Sequence, residues 1–241
     1  MKKILLTALC LCILCCGCAP HKPSPEAVLL TVSTETVNQK AHAEDGTLLL
    51  ERSYPRFSVQ GSHAADINRD LQNRIANWMT VSDDLERYAQ SEYTEGENWT
   101  TWFAKLDGHT KRLDARVFSL YFEYSEFTGG NHPNLATYCI TYDCVSGKAL
   151  ELSDLLDHSP VVLTGLVNAA LSSQAENLYD DYEALVGKTF SDGTMEWSLS
   201  DDGLCFHFAP YAIAPYSSGI ISATVTYKQL SGIILPEYLP A

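Results

Sequence analysis

The sequence is poor in basic residues: its 241 residues include 16 Lys and Arg against 30 Asp and Glu, which gives a formal net charge of −14. A surface this acidic repels the phosphates of nucleic acids and attracts cationic partners. We therefore expect no nucleic-acid binding. Hydrophobic residues make up 46% of the chain and charged residues 19%, so the composition is typical of a folded protein and not of a disordered one.

The sequence also lacks an apolar run long enough to cross a membrane as a helix, which takes about 20 residues. Its one apolar segment, Ile4 to Cys16, follows two lysines and precedes Gly17-Cys18, a pattern typical of a bacterial lipoprotein signal peptide. We predict a signal peptide over residues 1–17, lipidation of Cys18 and a tether over residues 18–26. The protein would then lie outside the cytoplasm on the cell envelope, and the lipid would be its only membrane contact. Cleavage before Cys16 and secretion without lipid are the alternatives.

Beyond that leader the chain has few cysteines and no CxxC pair, which argues against a structural zinc site and against thioredoxin-type chemistry. Three cysteines remain, Cys139, Cys144 and Cys205, and an odd number cannot all pair within one chain. One bridge to Cys205 and three free thiols both stay open. No histidine has HExxH or HxH spacing and no GxSxG motif occurs, so we expect no metal, no other cofactor and no catalytic residue.

Hydrophobic periodicity in the first half predicts a β-hairpin followed by a helix. Strand-like alternation over residues 27–40 and 47–58 surrounds the turn Glu44-Asp45-Gly46, with a break or a strand edge near Tyr54-Pro55. A helix is indicated by the spacing of Ile67, Leu71, Ile75, Trp78 and Met79. Ser62 or Asp66 would cap its start, and residues 83–93 would either continue it or form a separate turn.

The second half predicts strands over residues 100–107, 113–127 and 136–143, with Gly108-His109 as the first turn. A helix within residues 160–182 would turn Val162, Leu166, Ala169 and Ala170 inward. A hairpin of residues 195–199 and 204–208 and a strand over residues 219–227 complete the pattern. We predict an α+β fold of antiparallel sheets with packed helices. It would consist of an N-terminal hairpin-plus-helix module (27–112) and a C-terminal sheet-plus-helix module (113–235).

Two segments of the chain resemble a known family. EFTGGNHPN (Glu126–Asn134), with the TYDCVSGKALELSDLL that follows, and SDDGLCFHFAPYAIAPYSSGI (Ser200–Ile220) are similar to the RsiV-like extracellular domain. The upstream strings YPRF and INRDLQNRI resemble its companion, the PdaC-type N-terminal module. The resemblance implies a secreted, non-catalytic binding module, because the extracellular domain of the anti-sigma factor binds lysozyme. It does not imply sigma-factor sequestration, since we expect neither a membrane helix nor a cytoplasmic segment.

Two aromatic-bearing segments are the candidate contact regions. In the first, two glycines permit unusual backbone angles and Pro133 holds His132 extended; the segment is either a structural turn or a contact loop. In the second, Tyr211 and Tyr216 either cover a sheet or form a rigid anchor at an interface. The candidate ligand-binding residues are Gly129, Gly130, His132, Asn134, Tyr211 and Tyr216.

We therefore expect a binding protein for lysozyme or another basic protein, or for peptidoglycan fragments. A cell-wall enzyme or its accessory module is the alternative.

Overall fold

The computed structural model describes residues 29–240, which form two β-sheets and three α-helices. The predicted α+β class is confirmed. The predicted signal peptide, Cys18 and the tether lie outside the described residues. Of the helices between residues 29 and 240, none combines the length and the hydrophobicity that a membrane crossing requires.

The first sheet has six strands in the order in which they occur along the chain. They are β1 (Thr31–His42), β2 (Leu48–Gln60), β3 (Trp102–Leu113), β4 (Val117–Phe127), β5 (Asn134–Asp143) and β6 (Lys148–Ala149). Strands β2 and β3 are parallel, whereas the other neighbours are antiparallel. A parallel pair needs a long crossover connection, and the helix α1 (Ala64–Glu92) supplies it. The predicted hairpin-plus-helix is therefore continuous with the sheet that follows.

Helix α1 is a single helix through residue 92, so the stretch from residue 83 continues it. Its buried face includes Ile67, Leu71, Ile75 and Met79, and the helix packs mainly on β2. The predicted caps are wrong. The N-cap residue is His63, in the left-handed conformation with φ 58° and without a side-chain cap hydrogen bond.

The predicted turn at Gly108-His109 is wrong, because both residues lie within a paired strand. At Tyr54-Pro55 the strand does not break, and of the two alternatives the edge is the correct one. Gly108-His109 belongs to β3, where the two residues pair with Phe122 and Tyr121, and the chain turns only after Leu113. Pro55 lies inside β2 opposite Thr36. The pairing of β2 with β3 ends at Ser53, just before this proline, which has no N–H to donate.

The second half of the chain packs two α-helices against a three-stranded antiparallel sheet. The elements are α2 (Thr164–Leu171), α3 (Tyr182–Asp192), β7 (Glu196–Leu199), β8 (Gly203–Phe208) and β9 (Ile221–Thr226). The predicted hairpin and final strand are confirmed. The predicted inward face of α2 is confirmed only in part. Leu166 and Ala170 pack half-buried against the core, whereas Val162 and Ala169 are exposed. The fully buried residues are Val167 and Leu171, with Leu163 just before the helix. Helix α3 has no counterpart in the sequence prediction.

The two sheets meet where β7 lies against β4 and β5. Polar groups make this contact: the Ser119 hydroxyl accepts the Leu199 N–H at 2.9 Å and is 2.8 Å from the Thr141 hydroxyl oxygen. These side chains are buried, so each hydrogen bond replaces one to water and fixes the position of β7 on the first sheet.

A buried arginine connects the first sheet to the C-terminal segment. The Arg112 side chain is 1% exposed, and its Nε donates to Asp114 Oδ2 at 2.6 Å. One terminal nitrogen donates to the Tyr227 hydroxyl and to the Tyr238 carbonyl, each at 2.7 Å. Tyr227 in turn donates to the Ser200 carbonyl at 2.8 Å. A buried cation is tolerated only when it is paired and hydrogen-bonded, so these partners hold the two halves in one position.

Replacing this arginine with methionine should therefore destabilise the folded protein. We expect Arg112→Met to lower the free energy of unfolding by about 3 kcal/mol, because the carboxylate of Asp114 and the Tyr238 carbonyl lose their partner. Arg56→Met is the matched control, since Arg56 pairs with Glu35 at 2.8 Å but its side chain is 57% exposed. The control should lose less than about 1 kcal/mol. Urea unfolding measures both values, and equal losses would contradict the structural role given to Arg112.

A candidate aromatic surface and a buried polar contact

The candidate contact loop lies between β4 and β5 and is shaped by one glycine. Gly129 has φ +88°, and a Cβ atom there would lie 3.3 Å from the indole nitrogen of Trp102. Gly130 is exposed, has no positive φ and faces open space, so it does not supply the unusual backbone angle that was expected of the pair. Asn134 is exposed and begins β5 opposite Glu126.

The second candidate segment connects β8 to β9 and is held by its own apolar residues. Ile213 and Ala214 are buried in the core around the second sheet. Tyr211 lies in the left-handed region with φ 69°, and its N–H donates to the Ala214 carbonyl at 2.9 Å. Because the backbone turns here, the Tyr211 side chain is directed to solvent and is 60% exposed.

The fold brings the two segments together although about 80 residues separate them. The Tyr216 hydroxyl donates to the Pro133 carbonyl at 2.6 Å, and His132 Nδ1 is 3.0 Å from the same oxygen. The rings of His132 and Tyr216 stack with centroids 3.7 Å apart, and the ring of Tyr211 is 5.8 Å from that of Tyr216. We call His132, Tyr211 and Tyr216 the aromatic surface.

This surface offers stacking area and one fixed polar position. His132 is exposed and Tyr216 is half-buried, and the hydrogen bond to Pro133 restricts the rotation of the Tyr216 ring. Aromatic side chains that are held rigid lose little conformational entropy on binding, and they are frequent anchors at protein interfaces. The sequence predicted these three residues as contacts, but no local pattern shows that the Pro133 carbonyl joins His132 to Tyr216. That they bind a ligand stays a prediction.

A second group of polar side chains lies between the sheets, where His207 and Ser198 are buried and Glu196 is half-buried. The carboxylate of Glu196 on β7 accepts the backbone N–H of Cys139 at 2.6 Å. His207, its cross-strand neighbour on β8, stacks on Tyr121 with centroids 4.2 Å apart. The two ring nitrogens of His207 are each 2.9 Å from a serine hydroxyl, that of Ser198 and that of Ser222.

Burial shifts the pKa values of this group in opposite directions. It raises the pKa of Glu196 to about 7, although the hydrogen bond from Cys139 acts against that shift. It lowers the pKa of His207 to about 4, and the charge of Lys111 adds to that effect. The pKa of the Cys139 thiol is also raised well above its usual value by burial. At neutral pH the imidazole and the thiol are therefore uncharged, and the carboxyl is half ionised.

The cysteines and the acidic side chains form no further site in the part of the chain that is described. Cys139, Cys144 and Cys205 are free thiols. Between residues 29 and 240, no three His, Cys, Asp or Glu side chains lie together in a way that could hold a metal ion.

Comparisons with known proteins match each half of the chain to a different family model. Residues 42–135 match the family described as deacetylase PdaC, and residues 154–228 match a protein family of unknown function, DUF3298. The chain therefore contains one segment similar to PdaC and a second similar to DUF3298, and each match covers less than half of the chain. No curated protein matches the chain.

Solved structures of the DUF3298 family share the fold. A family protein from Pseudomonas aeruginosa PAO1 has a TM-score of 0.58 and 19% sequence identity, over 88% of this chain and 98% of that one. A member from Bacteroides fragilis NCTC 9343 has a TM-score of 0.56 and 17% identity, over 86% and 94%. At these identities the likeness concerns the fold and not the ligand.

The contact between the two segments can be tested by removing one hydroxyl. We expect Tyr216→Phe to lower the free energy of unfolding by about 1 kcal/mol, because the Pro133 carbonyl loses its donor. Tyr211→Phe is the matched control, since the Tyr211 hydroxyl has no hydrogen-bond partner among residues 29–240. It should change the stability by less than about 0.5 kcal/mol. If urea unfolding gives the two variants the same stability, the hydrogen bond to Pro133 does not hold the surface together.

The raised pKa of Glu196 predicts a dependence of stability on pH. The folded state binds a proton more tightly than the unfolded state, whose pKa is near 4.5, so stability falls as the pH rises from about 4.5 to 7. His207 acts in the opposite direction, because stability rises between about pH 4 and 6.5 as its unfolded-state proton is lost. We expect Glu196→Gln to abolish the loss of stability between pH 4.5 and 7 and to keep the gain that comes from His207.

The measurement is urea unfolding of wild type and Glu196→Gln at pH 4.5, 6 and 7.5. From pH 4.5 to pH 7.5 the unfolding free energy of the wild type should fall by about 3 kcal/mol relative to that of Glu196→Gln. Glu176→Gln, which alters an exposed carboxyl, serves as the control. A difference that stays constant with pH would show that Glu196 titrates normally in the folded protein.

Proposed function

We propose that the protein is a lipid-anchored extracytoplasmic binding protein of the cell envelope. It captures a basic protein such as lysozyme, or a cell-wall ligand, through the aromatic surface. The observation that carries the proposal is the convergence of His132, Tyr211 and Tyr216 from two distant segments into one group of neighbouring rings, in which His132 and Tyr211 are exposed and Tyr216 is hydrogen-bonded to Pro133. The PdaC and DUF3298 matches support an extracellular, envelope-associated role.

The charge of the chain favours a cationic partner. A formal net charge of −14 steers a basic protein toward the surface and raises its rate of encounter, an effect that salt screens. Lasting affinity must come from desolvated contacts, and exposed aromatic rings held in one orientation provide them. The two contributions can therefore be separated by varying the salt concentration.

Titration of hen lysozyme into the full chain by calorimetry tests the proposal. We expect saturable one-to-one binding that survives moderate salt and becomes at least about tenfold weaker in Tyr211→Ala and in His132→Ala, as for residues central to an interface. Tyr88→Ala is the matched control, because Tyr88 is 51% exposed but lies on α1, outside the aromatic surface.

The outcomes separate the two partner classes. Binding to peptidoglycan fragments alone, weakened by the same two variants, would support the cell-wall ligand. Heat that vanishes with salt and is equal in all variants would reflect only the attraction between an acidic and a basic protein, and would contradict capture by the aromatic surface.

A second candidate function is a cell-wall enzyme or its accessory module. The match of residues 42–135 to a family described as deacetylase PdaC favours it. Release of acetate from peptidoglycan by the chain would favour this function over simple binding.

A further inference from the structure

A small polar cavity lies between β5, β7 and Arg74 of α1, and none of the residues of the aromatic surface lines it. Its volume is about 180 Å³. Charged and polar side chains line much of it, among them Arg74, Thr141, Glu151 and Glu196, beside Trp197. A cavity with polar walls and a carboxyl of shifted pKa is a candidate ligand site.

Two groups of opposite charge face this cavity from different elements. Arg74 projects from α1, and its Nε donates to Asp70 at 2.9 Å. This hydrogen bond within the helix restricts the orientation of the guanidinium. Glu196 projects from β7, and one of its carboxylate oxygens accepts the Cys139 N–H. Among residues 29–240, the ion pair that Arg74 forms is with Asp70, and Glu196 has no basic partner.

This arrangement leaves the carboxyl of Glu196 incompletely compensated. Burying a carboxylate without a cation is costly, which is why the proton is retained near neutral pH. An ammonium group in the cavity would provide the missing charge. A carboxylate on the same ligand would suit the guanidinium, whose planar fork binds carboxylates through two hydrogen bonds.

We propose that the cavity binds a small zwitterion, with the ammonium on Glu196 and the carboxylate on Arg74, and that an α-amino acid is the matching ligand class. The volume fits this size. It equals about six water molecules at roughly 30 Å³ each, and is smaller than the pockets of about 300–1,000 Å³ that hold drug-sized ligands. The site lies apart from the aromatic surface, so it does not depend on the function proposed above.

Binding should depend on pH through Glu196. The titratable and charged groups around its carboxyl are Tyr138 and Cys139 on β5, His207 on β8, Arg74 on α1 and Glu151 after β6. Lys111 on β3 acts on Cys139 and His207 and not directly on Glu196. The thiol and the imidazole are uncharged at neutral pH and arginine is always charged. Only the ionised form of Glu196 attracts the ammonium group, so we expect affinity to be about tenfold lower at pH 6 than at pH 8.

The experiment titrates glycine, D-alanine and L-alanine into the full chain at pH 8, up to millimolar concentrations, by calorimetry. Acetate and methylamine are the half-ligands and should bind at least about tenfold more weakly, because each satisfies only one of the two charged groups. Glu196→Gln and Arg74→Gln should each weaken glycine binding at least about tenfold. Glu176→Gln and Arg69→Gln alter exposed residues outside the cavity and should leave it unchanged.

The wild-type pH series keeps the test independent of whether the variants fold. Zwitterion binding that falls at pH 6, together with weak half-ligands, supports the site. The proposal is overturned if no amino acid binds the wild type, if acetate or methylamine binds as well as glycine, or if both cavity variants fold and bind as the wild type does.

Discussion

The charge of one buried side chain fixes the C-terminal segment on the first sheet, beside the place where β7 packs on β4 and β5. Arg112 is almost fully buried, and its guanidinium finds its acceptors in Asp114, in Tyr227 and in the carbonyl of Tyr238. Burying a cation without partners lowers the free energy of unfolding strongly. If the C-terminal segment moved away from β3, Arg112 would lose Tyr227 and Tyr238 as partners. The chain has two hydrophobic clusters, and besides Val117 of β4, which belongs to the second cluster, polar contacts of this kind hold them in place.

The aromatic surface depends on that fixed relation, because it is composed from both halves. The loop after β4 belongs to the first sheet, whereas the segment that carries Tyr211 is anchored by Ile213 in the second core. A shift of one half by an ångström would separate the Tyr216 hydroxyl from the Pro133 carbonyl, since a hydrogen bond weakens steeply beyond about 3.2 Å. Preorganised rings of this kind need not be ordered by a ligand, which favours binding.

The sequence predicts those features that local pattern determines. The alternation in β4 and the apolar spacing of α1 identified these elements, and the glycine-containing loop was placed between the correct strands. The parallel pairing joins β2 and β3 across the whole of α1, and the residue pattern of neither strand predicts its partner. Likewise, Gly108 suggested a turn. It is a glycine within β3 because Phe122 and Pro55 occupy the space that a side chain would need. That contact exists only in the assembled sheet.

The polar residues between the sheets were missed for a related reason. In a strand that is buried throughout, such as β8, His207 breaks the apolar pattern, and Glu196 does the same at the start of β7. An interface built for stability alone would be served better by apolar side chains of similar volume, since burying a carboxyl and an imidazole costs desolvation energy. Departures from the expected pattern that carry such a cost are concentrated at functional positions. The pattern break at Glu196 is therefore the signal in the sequence that points to the cavity between the sheets.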